Sequence, residues 1–150
     1  MTTNENVTAR VRASFEKQKI LRLLGATLTG VQRGQVEITL PFWEELTQQH
    51  SFLHAGVVTT ILDSACGYAA LSVMPQGAGV LSIEFKVNLL APAKGKAFIA
   101  RGRVVRAGRT IVVCSGEVVA LQNGKLGEEE SVATMLATML VVQDRPGITD

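Results

Sequence analysis

The chain is poor in the residues that staple a fold or hold a metal: its 150 residues include two cysteines, two histidines and no CxxC pair. A disulfide framework and a zinc ribbon are thereby excluded. Cys66 and Cys114 each lie inside an apolar run and read as reduced core thiols, the usual state in a cytoplasmic protein. The opening stretch MTTNENVTARVRASFEK has no apolar h-region, so no secretory signal is expected and the cytoplasm is the expected compartment. Charge of one sign is also lacking. Fifteen basic against thirteen acidic side chains leave a net +2, far from the one-sided charge of a protein that tracks phosphates, and nucleic acid is not an expected partner. No GxSxG elbow, Walker loop, GxGxxG turn or HExxH helix is present, which removes the anchors for serine-hydrolase, nucleotide-binding and zincin chemistry. With no internal repeat, low-complexity tract or linker, a single domain over residues 1–150 is expected.

What the chain does have is apolar surface. At 47% hydrophobic and 19% charged residues it is too apolar for disorder and long enough to bury one core. From Leu46 to Ile83 the only formally charged side chain is Asp63, which calls for a membrane test. Gly56, Thr59, Thr60, Ser64 and Gly67 interrupt the run, and an aspartate near its middle is costly in lipid. The segment therefore reads as a helix wrapped by the rest of its own fold, and no membrane partner is expected.

Val7, Val11 and Phe15 recur at helical spacing, which predicts a short amphipathic helix over about residues 5–20. Gly25 to Gly34 and then Gln35-Val36-Glu37-Ile38-Thr39-Leu40 read as a hairpin ended by Pro41. The apolar helix follows from about Ala55 to Met74, closed by Pro75 and Gly77. Residues 80–89 alternate cleanly with period two, and Lys94-Gly95, Ala107-Gly108 and Asn123-Gly124 punctuate the β-branched runs beyond. Four antiparallel strands in a meander are expected there, the Asn-Gly pair marking a type I′ turn. Residues 128–142 are good helix formers, and propensity alone makes them a helix. The expected architecture is a long antiparallel sheet curled around one apolar helix. The fifth strand has Val112, Cys114 and Val118 on one face and Ile111, Val113 and Val119 on the other, so an oligomer interface is expected to cover its outer face.

Chemistry has few places to reside. His50 and His54 are four apart, a spacing that two metal ligands on one helix face would need, but the segment reads as loop without a cysteine nearby, and no metal is expected. Asp63 lies inside the apolar helix, where it lowers helix propensity and loses hydration. It reads either as a structural group, bonded to local backbone or paired with an arginine, or as a catalytic carboxylate. His54-Ala55-Gly56 at the helix start would present backbone N–H groups to an anion or a polarised carbonyl.

Together these residues resemble a known family. Gln48, His54-Ala55-Gly56, Asp63 and the later Ser82-Ile83-Glu84-Phe85-Lys86-Val87-Asn88-Leu89-Leu90-Ala91-Pro92 are similar, in order and spacing, to the PaaI-type acyl-CoA thioesterases of the hotdog fold. The similarity spans about residues 20–142 and makes residues 133–139 the family's last strand, against their helix propensity. It implies an α+β hotdog domain and hydrolysis of acyl-CoA to a free acid and coenzyme A, with no cofactor. It further implies that Asp63 acts as general base or nucleophile, that the Ala55 N–H polarises the thioester carbonyl beside His54, and that Gln48 orients the reacting group. Ser82 is implied to reach the site from a neighbouring subunit, within a homodimer or homotetramer. Two departures stand out: His-Ala-Gly replaces the common His-Gly-Gly, which demands a backbone alanine can adopt, and Gln48 replaces an asparagine. Arg106 and Arg109, with Lys94, are the expected contacts for the phosphates of coenzyme A. The competing readings are a non-catalytic acyl-CoA-binding module and a hotdog dehydratase or hydratase.

Overall fold

The computed structural model describes residues 3–150. Its N-terminal part is two helices, not the single one expected over residues 5–20: α1 (Thr3–Lys17) and α2 (Lys19–Leu24). The break falls at Gln18, which is extended at φ −77° and ψ 103° and whose side chain donates to the Tyr68 hydroxyl at 3.0 Å. Gly25 ends α2 at φ 75°, a left-handed conformation open to glycine at little cost.

The hairpin forms as read, from β1 (Thr27–Gln32) and β2 (Gln35–Pro41). A 3-10 turn (Glu44–Leu46) precedes the apolar helix, α3 (Ala55–Leu71), and four strands follow: β3 (Gly79–Leu89), β4 (Ala97–Ala107), β5 (Ile111–Leu121) and β6 (Glu129–Val142). These four do not make a simple meander. The sheet order is β1-β2-β4-β5-β6-β3, with β3 paired to β6 at the far edge and β4 paired back to β2. Alternation reports which residues share a face, not which strand lies alongside. The crossing is made by residues 90–96, which pass the start of α3, where Leu53 N–H donates to the Ala93 carbonyl and Phe42 N–H to that of Lys96, both at 3.0 Å.

Two other local readings are corrected. Asn123-Gly124 does not form a type I′ turn: Gly124 has φ 71° but Asn123 is not at positive φ, and residues 122–128 form a longer loop between β5 and β6. Residues 129–142 are a strand despite their helix propensity. Hydrogen bonds to β5 on one side and β3 on the other, with Ala133, Met135, Ala137 and Met139 buried on the inner face, outweigh a preference of a few tenths of a kcal/mol per residue.

One glycine pair sets how closely α3 approaches the sheet. Gly102 of β4 and Gly116 of β5 are register partners. A Cβ on Gly102 would lie 2.3 Å from the Ala65 carbonyl carbon, and one on Gly116 would lie 2.7 Å from the Leu62 side chain. With no side chains there, Ile61, Leu62, Ala65, Cys66 and Ala69 are fully buried against the sheet. Cys66 and Cys114 are free and buried, and desolvation holds the Cys114 thiol protonated up to about 12.

The outer face of β5 is less bare than expected, because Val119 packs with Ile99 and Leu121 into a small cluster of its own. Apolar exposure gathers instead on the edge strand β3, where Leu81, Ile83, Phe85 and Leu89 are each more than 40% exposed. No helix is long and apolar enough to cross a membrane.

Candidate active site

Asp63 stands on the third turn of α3, on the side that faces β3, and is half-buried. Ser82, near the start of β3, donates from Oγ to Asp63 Oδ1 at 2.8 Å. The β-bulge between Ser82 and Glu84 lies directly beside this contact and is the kind of irregularity that re-aims a side chain. Burial raises the carboxyl pKa of Asp63 above its ordinary value, and the Ser82 hydrogen bond offsets part of that rise.

This contact corrects one expectation. Ser82 meets Asp63 of its own chain, because β3 returns alongside the helix that it follows; no neighbouring subunit is required to bring the two together. It also speaks against both structural readings of Asp63. Among the described residues no cation pairs with it: Arg101 is engaged by Glu37 and Glu129, each at 2.8 Å, and Arg10 by Asp150. A half-buried carboxylate whose one partner is a hydroxyl is neither ion-paired nor capping backbone.

His54 is the N-cap of α3, with φ −62° and ψ 137°. Its Nδ1 accepts from the Gly56 N–H at 2.8 Å, so Nδ1 carries no proton and a neutral ring presents its N–H at Nε2. A Cβ on Gly56 would sit 3.0 Å from Nδ1, which explains glycine at that position. Ala55 is the first helical residue and is not at positive φ, so alanine fits where the resemblance implies glycine. Its N–H makes no hydrogen bond among the described residues, and His54 and Ala55 are both exposed. The helix N-terminus thus offers one free backbone donor, not two.

Gln48 lies on the loop that leads into α3. The loop is closed by Gln48 N–H to the Phe52 carbonyl and His54 N–H to the Leu46 carbonyl, both at 2.9 Å. The Gln48 side-chain oxygen accepts from the His50 N–H, which leaves its NH₂ as the group available to a ligand. His50 belongs to this turn and not to α3, so the two histidines do not share a helix face. Among the described residues no group of three histidine, cysteine or acidic side chains is arranged to hold a metal.

The helix start and Asp63 do not form one site within a chain. Ala55 and Asp63 are eight positions apart along the helix, about 12 Å of rise, several times the reach of a single carbonyl group. Asp63 and Ser82 instead line a cleft of about 550 Å³ between α3, β3, α1 and residues 147–150. A larger hollow of about 830 Å³ lies across the sheet over Arg101 and Arg103, where Glu37 and Glu117 both face Arg101 at 2.8 and 3.6 Å. Arg106 and Arg109 are exposed around the β4–β5 turn, outside the Asp63 cleft. Lys94 is exposed beside Ala93, whose carbonyl is bonded to Leu53 next to His54. Sequence reasoning missed the contribution of α1 and residues 147–150 to the cleft, since contact between the two ends of a chain leaves no local pattern.

The model of the thioesterase superfamily matches residues 50–126, a span that holds His54, Asp63 and Ser82. A thioesterase family protein from Silicibacter pomeroyi is 46% identical, with a TM-score of 0.87 and coverage of 91% of this chain and 98% of that one. The PaaI protein of the E. coli phenylacetic acid degradation operon shares the fold at 17% identity, with a TM-score of 0.84 over 95% of this chain and 97% of its own. Acyl-coenzyme A thioesterase 13 of Mus musculus is 27% identical over 84 residues, 55% of this chain and 59% of that protein. With a family match over half its length and a six-stranded antiparallel sheet packed on one central helix, this chain belongs to the thioesterase superfamily and has the hotdog fold.

Proposed function

We propose that the protein hydrolyses acyl-CoA thioesters at a site shared between two copies of the chain. The observation that carries this reading is the separation of its parts: a desolvated carboxylate held by Ser82 on one side, and a free N–H donor about 12 Å away along the same helix. A second chain brings the two halves together if the copies pair through β3. That strand is an edge with one row of unpaired backbone groups and exposed Leu81, Ile83, Phe85 and Leu89, a surface that needs a cover. Antiparallel pairing of β3 with its own copy sets the Ser82 end of one strand against the Leu89 end of the other. The chain that leaves Leu89 reaches Leu53 and the helix start within a few residues, so the partner's end of the strand arrives with its donor.

In such a site the partner's Ala55 N–H donates to the thioester oxygen as negative charge develops there, with the His54 imidazole and the Gln48 amide beside it. Asp63 supplies the basic oxygen, either taking a proton from the attacking water or attacking the carbonyl carbon itself. In the first route the C–S bond breaks as the tetrahedral intermediate collapses, and the proton held by Asp63 goes to the departing thiolate. In the second route the bond from Asp63 to the acyl carbon forms as the C–S bond breaks and the thiolate departs; water then opens the anhydride to the free acid and the regenerated carboxylate, and its remaining proton goes to the thiolate. No cofactor enters either route, because a thioester is already an activated acyl group. Lys94, beside the helix start, is the cation best situated for the phosphates of coenzyme A. Arg106 and Arg109 stand outside the cleft of their own chain and are the weaker contacts. The free thiols suit a reducing cytoplasm.

A panel of saturated acyl-CoAs, assayed for thiol release, tests the reading. Turnover of a saturated substrate is expected. Binding without turnover would favour an acyl-CoA-binding module, and turnover confined to 2-enoyl or 3-hydroxyacyl substrates a hydratase.

A further inference from the structure

The cleft that begins at Asp63 does not run open along the helix. One turn further on is Gly67, where a Cβ would meet nothing within 4 Å, so the helix face leaves a hollow directly beyond the carboxylate. Leu71, one turn beyond Gly67, and Leu81, on the Gly79 side of Ser82, line the cleft in that direction, and such contacts suit an apolar group better than the phosphates of a nucleotide.

The far end is shut by residues 147–150. Ile148 lies over Gly79 so closely that a Cβ on the glycine would be 2.7 Å from Ile148 Cγ2. The segment is pinned in place: the Asp150 carboxylate pairs with Arg10 and accepts from Gly77 N–H at 3.2 Å, and Lys17 donates to the Asp150 backbone oxygen at 3.3 Å. Arg10 is itself fixed by the Met74 and Pro75 carbonyls, both at 2.8 Å. Most polar groups at this end are thus engaged with one another, Gln18 and Tyr68 included, and the Lys17 ammonium is held against the backbone of residue 150.

We infer that residues 147–150 form the end wall of the acyl pocket and limit the length of the acyl group this enzyme accepts, with Ile148 as the stop. The inference rests on the acyl-CoA hydrolysis proposed above. A chain that threads past Gly67 meets Ile148 over Gly79 and goes no further unless the wall moves.

Two substitutions at one half-buried position test it in opposite directions. Ile148→Ala should raise kcat/KM for dodecanoyl-CoA relative to butyryl-CoA by about tenfold, the scale of a few methylene contacts, and leave butyryl-CoA within about threefold of the unaltered protein. Ile148→Trp should lower the same ratio. Asp150→Ala, which releases the pin, should act like Ile148→Ala on the ratio and lower the melting temperature, because Arg10 loses its carboxylate. A ratio that stays constant across the three variants, or moves the same way for Ala and Trp at position 148, overturns the inference and leaves acyl-CoA hydrolysis standing. Failure of the unaltered protein to hydrolyse any acyl-CoA in the panel overturns that reading and this one with it.

Discussion

Asp63 joins two properties that seldom coincide: it is the one formal charge in a long apolar segment, and its hydrogen-bond partner among the described residues is a neutral hydroxyl. A raised carboxyl pKa means the folded protein favours the protonated form, so the ionised group destabilises the fold as the pH rises through that value. Asp63→Asn should therefore keep or raise the melting temperature while kcat falls by about two to four orders of magnitude. Near-normal turnover in that well-folded variant would falsify the catalytic assignment. The Ser82 hydrogen bond opposes the rise, and Ser82→Ala should push the Asp63 pKa higher still. Because Asp63 must be ionised to act, the acid limb of the pH–rate profile should move to higher pH in Ser82→Ala, and an unmoved limb would dissociate Ser82 from that carboxylate.

Helix α3 carries Asp63 and also packs on the sheet, and its two glycine environments separate these tasks. At Gly102 the opposing helix backbone leaves no room: a Cβ would lie 2.3 to 2.5 Å from the Ala65 carbonyl and the Cys66 nitrogen. Gly102→Ala should cost about 3 kcal/mol or more, since neither backbone can give way. Gly67, on the helix itself, faces open space, and Gly67→Ala should stabilise the fold by about 1 kcal/mol through helix propensity alone. Denaturant midpoints of the two variants check both signs. A comparable loss at both positions would mean that the α3 seat on the sheet is not limited by the Gly102 contact.

At the scale of the assembly, the split between Asp63 with Ser82 and the helix start predicts which lesions complement. Ala55→Pro removes the free N–H at the first helical position, where proline is accommodated and the extended His54 before it is compatible. Asp63→Ala and Ala55→Pro chains, each inactive alone, should regain activity when mixed, because one of the two sites in a heterodimer then carries neither lesion. Asp63→Ala mixed with Ser82→Ala should gain nothing beyond the residual activity of the serine variant, since both lesions fall on the same half of the site. Restoration by the second pair and not the first would overturn the division proposed here.

Local chemistry made several features legible in the sequence. The length and apolarity of α3, the strand alternation from Val80 to Leu89 and the isolation of Asp63 all depend on residues within a few positions of one another, which is the range over which periodicity and propensity act. The resemblance in His54, Asp63 and Ser82 pointed to thioester chemistry, and the superfamily match agrees. Other features were decided only by tertiary structure. Residues 129–142 are helix formers that two flanking strands hold extended, and the partner of β3 was settled by the crossing past the start of α3. Ser82 belongs with Asp63 in one chain because β3 runs back along the helix, and residues 147–150 close the cleft because Arg10, more than a hundred positions away, holds Asp150. These are contacts between distant residues, and a distant contact leaves no repeat in the local pattern of the chain.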